Sequence, residues 1–62
     1  MKEVTPDVVA KADEHAARVV RQAEEKASSA GTTLSPETAY YLHKAAWTSV
    51  TGADAVRVVN PT

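Results

Sequence analysis

The two histidines are the first side chains to test for chemistry, because imidazole can bind a metal ion or transfer a proton near neutral pH. A metal site on a helix needs a second ligand three or four residues away, on the same face. Around both histidines these positions lack a good ligand: they are Lys11, Ala12, Arg18 and Val19 near His15, and Ala39, Tyr40, Ala46 and Trp47 near His43. The chain also has no cysteine. The sequence therefore predicts no metal and no cofactor.

The carboxylates and hydroxyls do not form a catalytic pattern either. Glu14 and Arg18 have the spacing of an ion pair along a helix, and Asp13 and Glu24 flank the apolar stripe of the same helix. Acid–base catalysis needs a concave site shielded from water, and two paired helices do not offer one. We therefore expect these carboxylates to be solvated or to form ion pairs between subunits. With no histidine–acid arrangement near a serine and no glycine-rich loop, the chain is not expected to be an enzyme.

A basic stripe on the first half of the chain raises the alternative of nucleic-acid binding. Lys11, His15, Arg18 and Arg21 lie on the polar side of the first helix, where they could contact phosphates. Acidic residues interrupt this stripe, however, and the net charge of the chain is −1. A dedicated nucleic-acid binder usually has a basic face. A small dimeric DNA-binding regulator thus stays as the alternative hypothesis.

Aromatic residues are the most informative feature of the second half of the chain. Tyr40, His43 and Trp47 follow one flank of the second helix at spacings of three and four residues. They could pack against the first helix, or they could bind a partner, since Trp and Tyr are frequent at protein interfaces. Tyr41 lies on the outer face of this helix, which has few charged residues. The candidate interaction residues are Tyr40, Tyr41, His43, Lys44 and Trp47.

The first helix, which carries the basic stripe, is predicted over residues 5–30. Thr5 is a suitable N-cap, Pro6 fits the first helical position, and Asp7 places negative charge at the positive end of the helix dipole. Gly31 can adopt the left-handed conformation that ends a helix. The apolar stripe of this helix contains only alanine and valine; its members are Val8, Val9, Ala12, Ala16, Val19, Val20, Ala23, Ala27 and Ala30.

The second helix, which carries the aromatic residues, is predicted over residues 36–51. Ser35-Pro36-Glu37 repeats the start signal of the first helix, and Gly52 provides a stop. A loop over residues 31–35 is short enough to join antiparallel helices. This pairing sets Leu42 beside Ala23, and Trp47 beside the region of Ala16. The fold class is thus predicted as all-α, a single domain built as an antiparallel helical hairpin.

The ends of the chain are predicted from the different lengths of the two helices. Because the first helix is longer, the segment over residues 53–60 should pack over the open end of the hairpin, with Val56, Val58 and Val59 as cover. The pattern leaves open whether this segment is helix or strand. The first four residues are expected to be frayed unless a hydrophobic staple between Val4 and Val9 holds them.

The composition predicts a protein that needs association to bury enough apolar surface. The 62 residues contain no Phe, no Ile and only two Leu, and a domain of this size gains little stability from its own core. We therefore expect a small non-enzymatic protein that acts as a homo-oligomer or docks on a larger protein. We expect no membrane or small-molecule partner. The first residues do not resemble a signal peptide, which predicts a cytoplasmic location. The size and the alanine- and valine-rich composition would suit an accessory protein of a virus or mobile element.

Overall fold

The computed structural model of the protein describes residues 1–61. Its elements are the strand β1 (Lys2–Val4), the helices α1 (Pro6–Ser29) and α2 (Pro36–Thr51), and the strand β2 (Val56–Val58). The two helices pack against each other as an antiparallel hairpin, in a molecule of 49 × 17 × 13 Å. The predicted helical hairpin is therefore confirmed. Neither helix is both long enough and apolar enough to cross a lipid bilayer.

The two helices begin with the same sequence pattern but use it differently. At α2 the Ser35 hydroxyl accepts a hydrogen bond of 3.1 Å from the Thr38 backbone N–H, as expected of an N-cap. At α1 the Thr5 hydroxyl makes no capping hydrogen bond, so that part of the prediction is wrong. The Val8 N–H, which the hydroxyl could have bound, instead donates to the Thr5 carbonyl oxygen at 3.1 Å. The pattern predicts where a helix starts, and the local backbone decides which oxygen satisfies the free N–H.

Both helices end at a glycine, as predicted. Gly31 and Gly52 have φ angles of 78° and 80°, in the left-handed region where a side chain would be strained. After α1, the Thr32 N–H donates to the Ala27 carbonyl oxygen at 2.9 Å, which closes a Schellman motif. After α2, the Gly52 N–H donates to the Thr48 carbonyl oxygen at 2.7 Å. These bonds satisfy carbonyl groups that the helices leave free.

The two ends of the chain meet in a short parallel sheet. Lys2 pairs with Val56, Glu3 with Arg57, and Val4 with Val58. A cross-strand ion pair of 2.9 Å joins the Arg57 guanidinium to the Glu3 carboxylate. Lys2–Val4 are therefore held in a strand instead of fraying, and the open question about the C-terminal segment is answered by the strand Val56–Val58. The hairpin brings both chain ends to one end of the molecule, where each short strand finds a partner that sequence patterning does not reveal.

The side chain of Lys2 lies over Gly52, at the end of α2. A Cβ atom at Gly52 would fall 2.5 Å from the Lys2 amine nitrogen. The last turn of α2 contains no basic residue of its own. Lys2 therefore brings a positive charge to the negative end of the α2 dipole from a distant part of the chain.

The buried core of the described chain is small. Its buried apolar residues are Val4, Ala12, Ala16 and Ala46. Most of the remaining α1 stripe is half-buried, because a single partner helix covers only the middle of it. At the open end of the hairpin, Val56 and Val59 are half-buried as expected. Val58 is 51% exposed, so its expected role as cover is wrong, whereas Val4, one of the two expected staple residues, is buried at 6% exposure.

Candidate interaction surface

Trp47 connects the two helices within the chain. Its indole Nε1 donates a hydrogen bond of 3.0 Å to the Asp13 carboxylate on α1, and the side chain is half-buried. A buried or half-buried indole needs such a partner for its single N–H. Asp13 is therefore not simply solvated. The spacing of residues within each helix could not reveal this bond, because its two members lie 34 positions apart.

Thr51 turns the chain at the end of α2 and so brings Asp54 to the helix. Thr51 is 1% exposed, and its hydroxyl oxygen lies 2.9 Å from the Ala53 carbonyl oxygen and 3.1 Å from the Trp47 carbonyl oxygen. The same hydroxyl accepts from the Ala53 N–H at 3.4 Å. The tightly folded segment after Gly52 places Asp54 beside the outer side of α2, next to residues that precede it by six to fourteen positions.

The outer side of α2 carries a shallow, open groove of about 360 Å³. We call its lining the tyrosine surface, which consists of Tyr40, Tyr41, Lys44, Ala45, Thr48 and Asp54. Tyr40 is 67% exposed and Tyr41 is 72% exposed. Three of the five candidate interaction residues thus come together here. Sequence analysis missed Asp54, Ala45 and Thr48, although the last two lie one helical turn or less from Lys44.

His43 and Trp47, the other two candidates, lie on the flank of this surface. They line a neighbouring depression of about 260 Å³ together with Tyr40, Lys44 and Asp54. His43 is exposed. All five candidates are therefore contiguous, but Trp47 is already engaged with α1, while the two tyrosines face solvent.

The basic stripe that suggested nucleic-acid binding lies on α1, and its residues differ in their exposure to solvent. Lys11, Arg18 and Arg21 are exposed, whereas His15 is half-buried. The Arg18 guanidinium forms the expected ion pair with the Glu14 carboxylate, at 3.0 Å. Part of the positive charge of the stripe is thus neutralised within the helix.

The acidic and histidine side chains of the described residues are dispersed over the surface. Among residues 1–61, no three His, Cys, Asp or Glu side chains lie close enough to hold a metal ion together. Every buried side-chain nitrogen or oxygen in this range has a hydrogen-bond partner. What the arrangement offers is a surface of aromatic, small and charged side chains that can contact another molecule.

Comparison with protein-family models, with curated proteins and with solved structures finds no significant match to this chain. Any function must therefore be argued from the residues of the chain itself.

Proposed function

We propose that this chain is a small, non-enzymatic interaction protein that binds a protein partner through the tyrosine surface. One observation carries the proposal: Tyr40 and Tyr41 project side by side into solvent, at 67% and 72% exposure. The buried apolar residues of the described chain, by contrast, are one valine and three alanines. Both tyrosine rings are thus available for binding instead of filling the core.

The small core gives a physical reason for association. Burying apolar surface stabilises a protein by about 25 cal/mol per Å², and an alanine side chain offers little area. A chain of this size gains roughly 3–5 kcal/mol from its core at most. Covering two tyrosines on a partner would add apolar burial that the hairpin cannot supply by itself.

The chemistry of the tyrosine surface fits a protein partner. Tyrosine combines a large apolar ring with a hydroxyl that can still form a hydrogen bond, and for this reason it is enriched at interfaces. Ala45 and Thr48 are small, so a partner can approach the helix closely between the tyrosines and Asp54. Lys44 and Asp54 provide one charge of each sign at the edge.

Site-specific photo-crosslinking tests this proposal. A benzophenone amino acid replaces Tyr41 in cells that normally make the protein, and the matched control carries it at Gln22, which is exposed on α1. We expect a covalent protein adduct from position 41 and none from position 22. The absence of an adduct at position 41, or equal adducts from both positions, would reject the tyrosine surface as the binding site.

A further inference from the structure

We propose that the partner of the tyrosine surface is a second copy of this chain, with α2 packed antiparallel to α2 of that copy. The two hairpins would then form a four-helix arrangement around a two-fold axis. This inference rests on the proposed function, because it names the occupant of the same surface. Three observations carry it: the accessible area, the spacing of residues along α2, and the charges on its outer side.

The accessible area of the chain is too large for a protein of its mass. The structure exposes 4599 Å² at 6.6 kDa, whereas a folded monomer of that mass is expected to expose about 3,900 Å². The excess is thus about 700 Å². A standard protein interface buries about 800 Å² on each partner. One interface of ordinary size would therefore bring the chain close to the expected area.

The outer side of α2 has the residue spacing of a helix–helix seam. Four residues follow each other at intervals of four, three and four along one face; they are Glu37, Tyr41, Lys44 and Thr48. An antiparallel seam packs the second position against the third of the other helix, and the first against the fourth. Tyr41 would meet Lys44 of the second copy, and a two-fold axis repeats each contact.

The charges favour the antiparallel orientation. The aliphatic part of Lys44 can cover the Tyr41 ring of the second copy, with its ammonium near the ring face. One helical turn further, about 6 Å along the axis, lies Glu37 of that copy, within reach of the same ammonium. A parallel two-fold pairing would instead place Lys44 against Lys44. The surface carries both signs of charge, so a second copy complements it.

Sedimentation equilibrium of the purified chain, over about 1 μM to 1 mM, tests the inference. We expect a species of twice the 6.6 kDa chain mass. The sharper test uses two charge reversals, Glu37→Lys and Lys44→Glu, in separate chains. Each variant alone places like charges together at two symmetric sites. We therefore expect the dissociation constant of its dimer to be about tenfold higher than that of the parent. An equimolar mixture restores both pairs of opposite charges, so a heterodimer should form with close to the parental affinity.

Matched controls separate the interface from general charge effects. Asp7→Lys is the control for Glu37→Lys, because Asp7 and Glu37 have the same position in the first turns of α1 and α2. Lys11→Glu is the control for Lys44→Glu, because both replace an exposed lysine on a helix. Both controls should dimerise like the parent. Circular dichroism of every variant confirms that it is folded.

Three results would overturn the inference: a parent that stays monomeric, single variants that dimerise like the parent, or a mixture that does not recover. The proposed function is decided separately. An adduct between position 41 and a different protein would support the binding role of the tyrosine surface while rejecting the second copy as its occupant. A dimer that forms normally with Tyr41→Ala would reject the second copy as the occupant of this surface, while the crosslinking result alone decides the proposed function.

Discussion

The two sides of α2 carry aromatic residues with opposite surroundings. On the side toward α1, Trp47 is half-buried and its indole is held by Asp13 at 3.0 Å. On the outer side, two turns or less away, Tyr40 and Tyr41 are 67% and 72% exposed. The residues belong to one continuous helix and have similar chemical character. What differs is only whether a second element lies against them.

This contrast shows how much one helical hairpin can cover. Each helix of a pair can bury one stripe against the other. The alanine stripe of α1 allows close approach, and Ala46 of α2 is buried in that contact. A residue on the far side of α2 can be buried only by the C-terminal segment over residues 53–60 or by another molecule. Thr51, at the end of α2, is buried. Of the C-terminal segment over residues 53–60, only Asp54 lines the groove beside the tyrosines.

Trp47→Ala should have the largest effect on the inner side. Truncating a well-packed Trp costs 3–5 kcal/mol, and because Trp47 is half-buried we expect about 3 kcal/mol. This is comparable to the whole stability expected of a chain of this size, so the variant should be largely unfolded at 25 °C. Thermal and urea unfolding followed by circular dichroism would measure the loss. A variant that melts like the parent would show that Trp47 does not hold the helices together.

Asp13→Ala should sharpen the comparison with a smaller effect on the same side. It removes the acceptor of the Trp47 N–H, and we expect a loss of about 1 kcal/mol in the free energy of unfolding. Its neighbour provides the control, because Glu14→Ala removes only an exposed ion pair and should cost less than about 0.5 kcal/mol.

A double-mutant cycle with Trp47→Phe checks that the Asp13 effect comes from this hydrogen bond. Phe keeps an aromatic ring but has no N–H to donate. The two losses should then be non-additive. Strict additivity would mean that Asp13 stabilises α1 by some other route.

Tyr41→Ala should have the smallest effect on the stability of the isolated chain. Tyr41 is exposed, and alanine has the higher helix propensity, so the free energy of unfolding at low micromolar concentration should change by less than about 0.5 kcal/mol. At high concentration, the same variant should lose association and unfold more easily than the parent. Leu42→Ala, at the adjacent half-buried position, should instead destabilise the chain at every concentration. A large decrease in the free energy of unfolding from Tyr41→Ala at low concentration would contradict the distinction between the inner and outer sides of α2.

Several features of the fold follow from local patterns in the sequence. Pro6 and Pro36 mark the starts of the helices, and Gly31 and Gly52 mark their ends, because each residue type restricts or permits a particular backbone conformation. The apolar stripe of α1 also follows from local spacing. The same local rules placed Tyr40, His43 and Trp47 on one flank of α2 and Tyr41 on its outer face, but they left open which of these residues pack against α1.

Other features depend on residues far apart in the chain, and the sequence alone did not determine them. The pairing of β1 with β2, the Trp47–Asp13 hydrogen bond and the position of Lys2 over Gly52 each join residues more than thirty positions apart. Such contacts exist only after the hairpin has closed, because closure brings distant segments to the same place. Helix limits were thus determined by short-range sterics and hydrogen bonding. The tertiary structure decided which aromatic residues are covered and which remain free, because coverage depends on the element that happens to lie opposite.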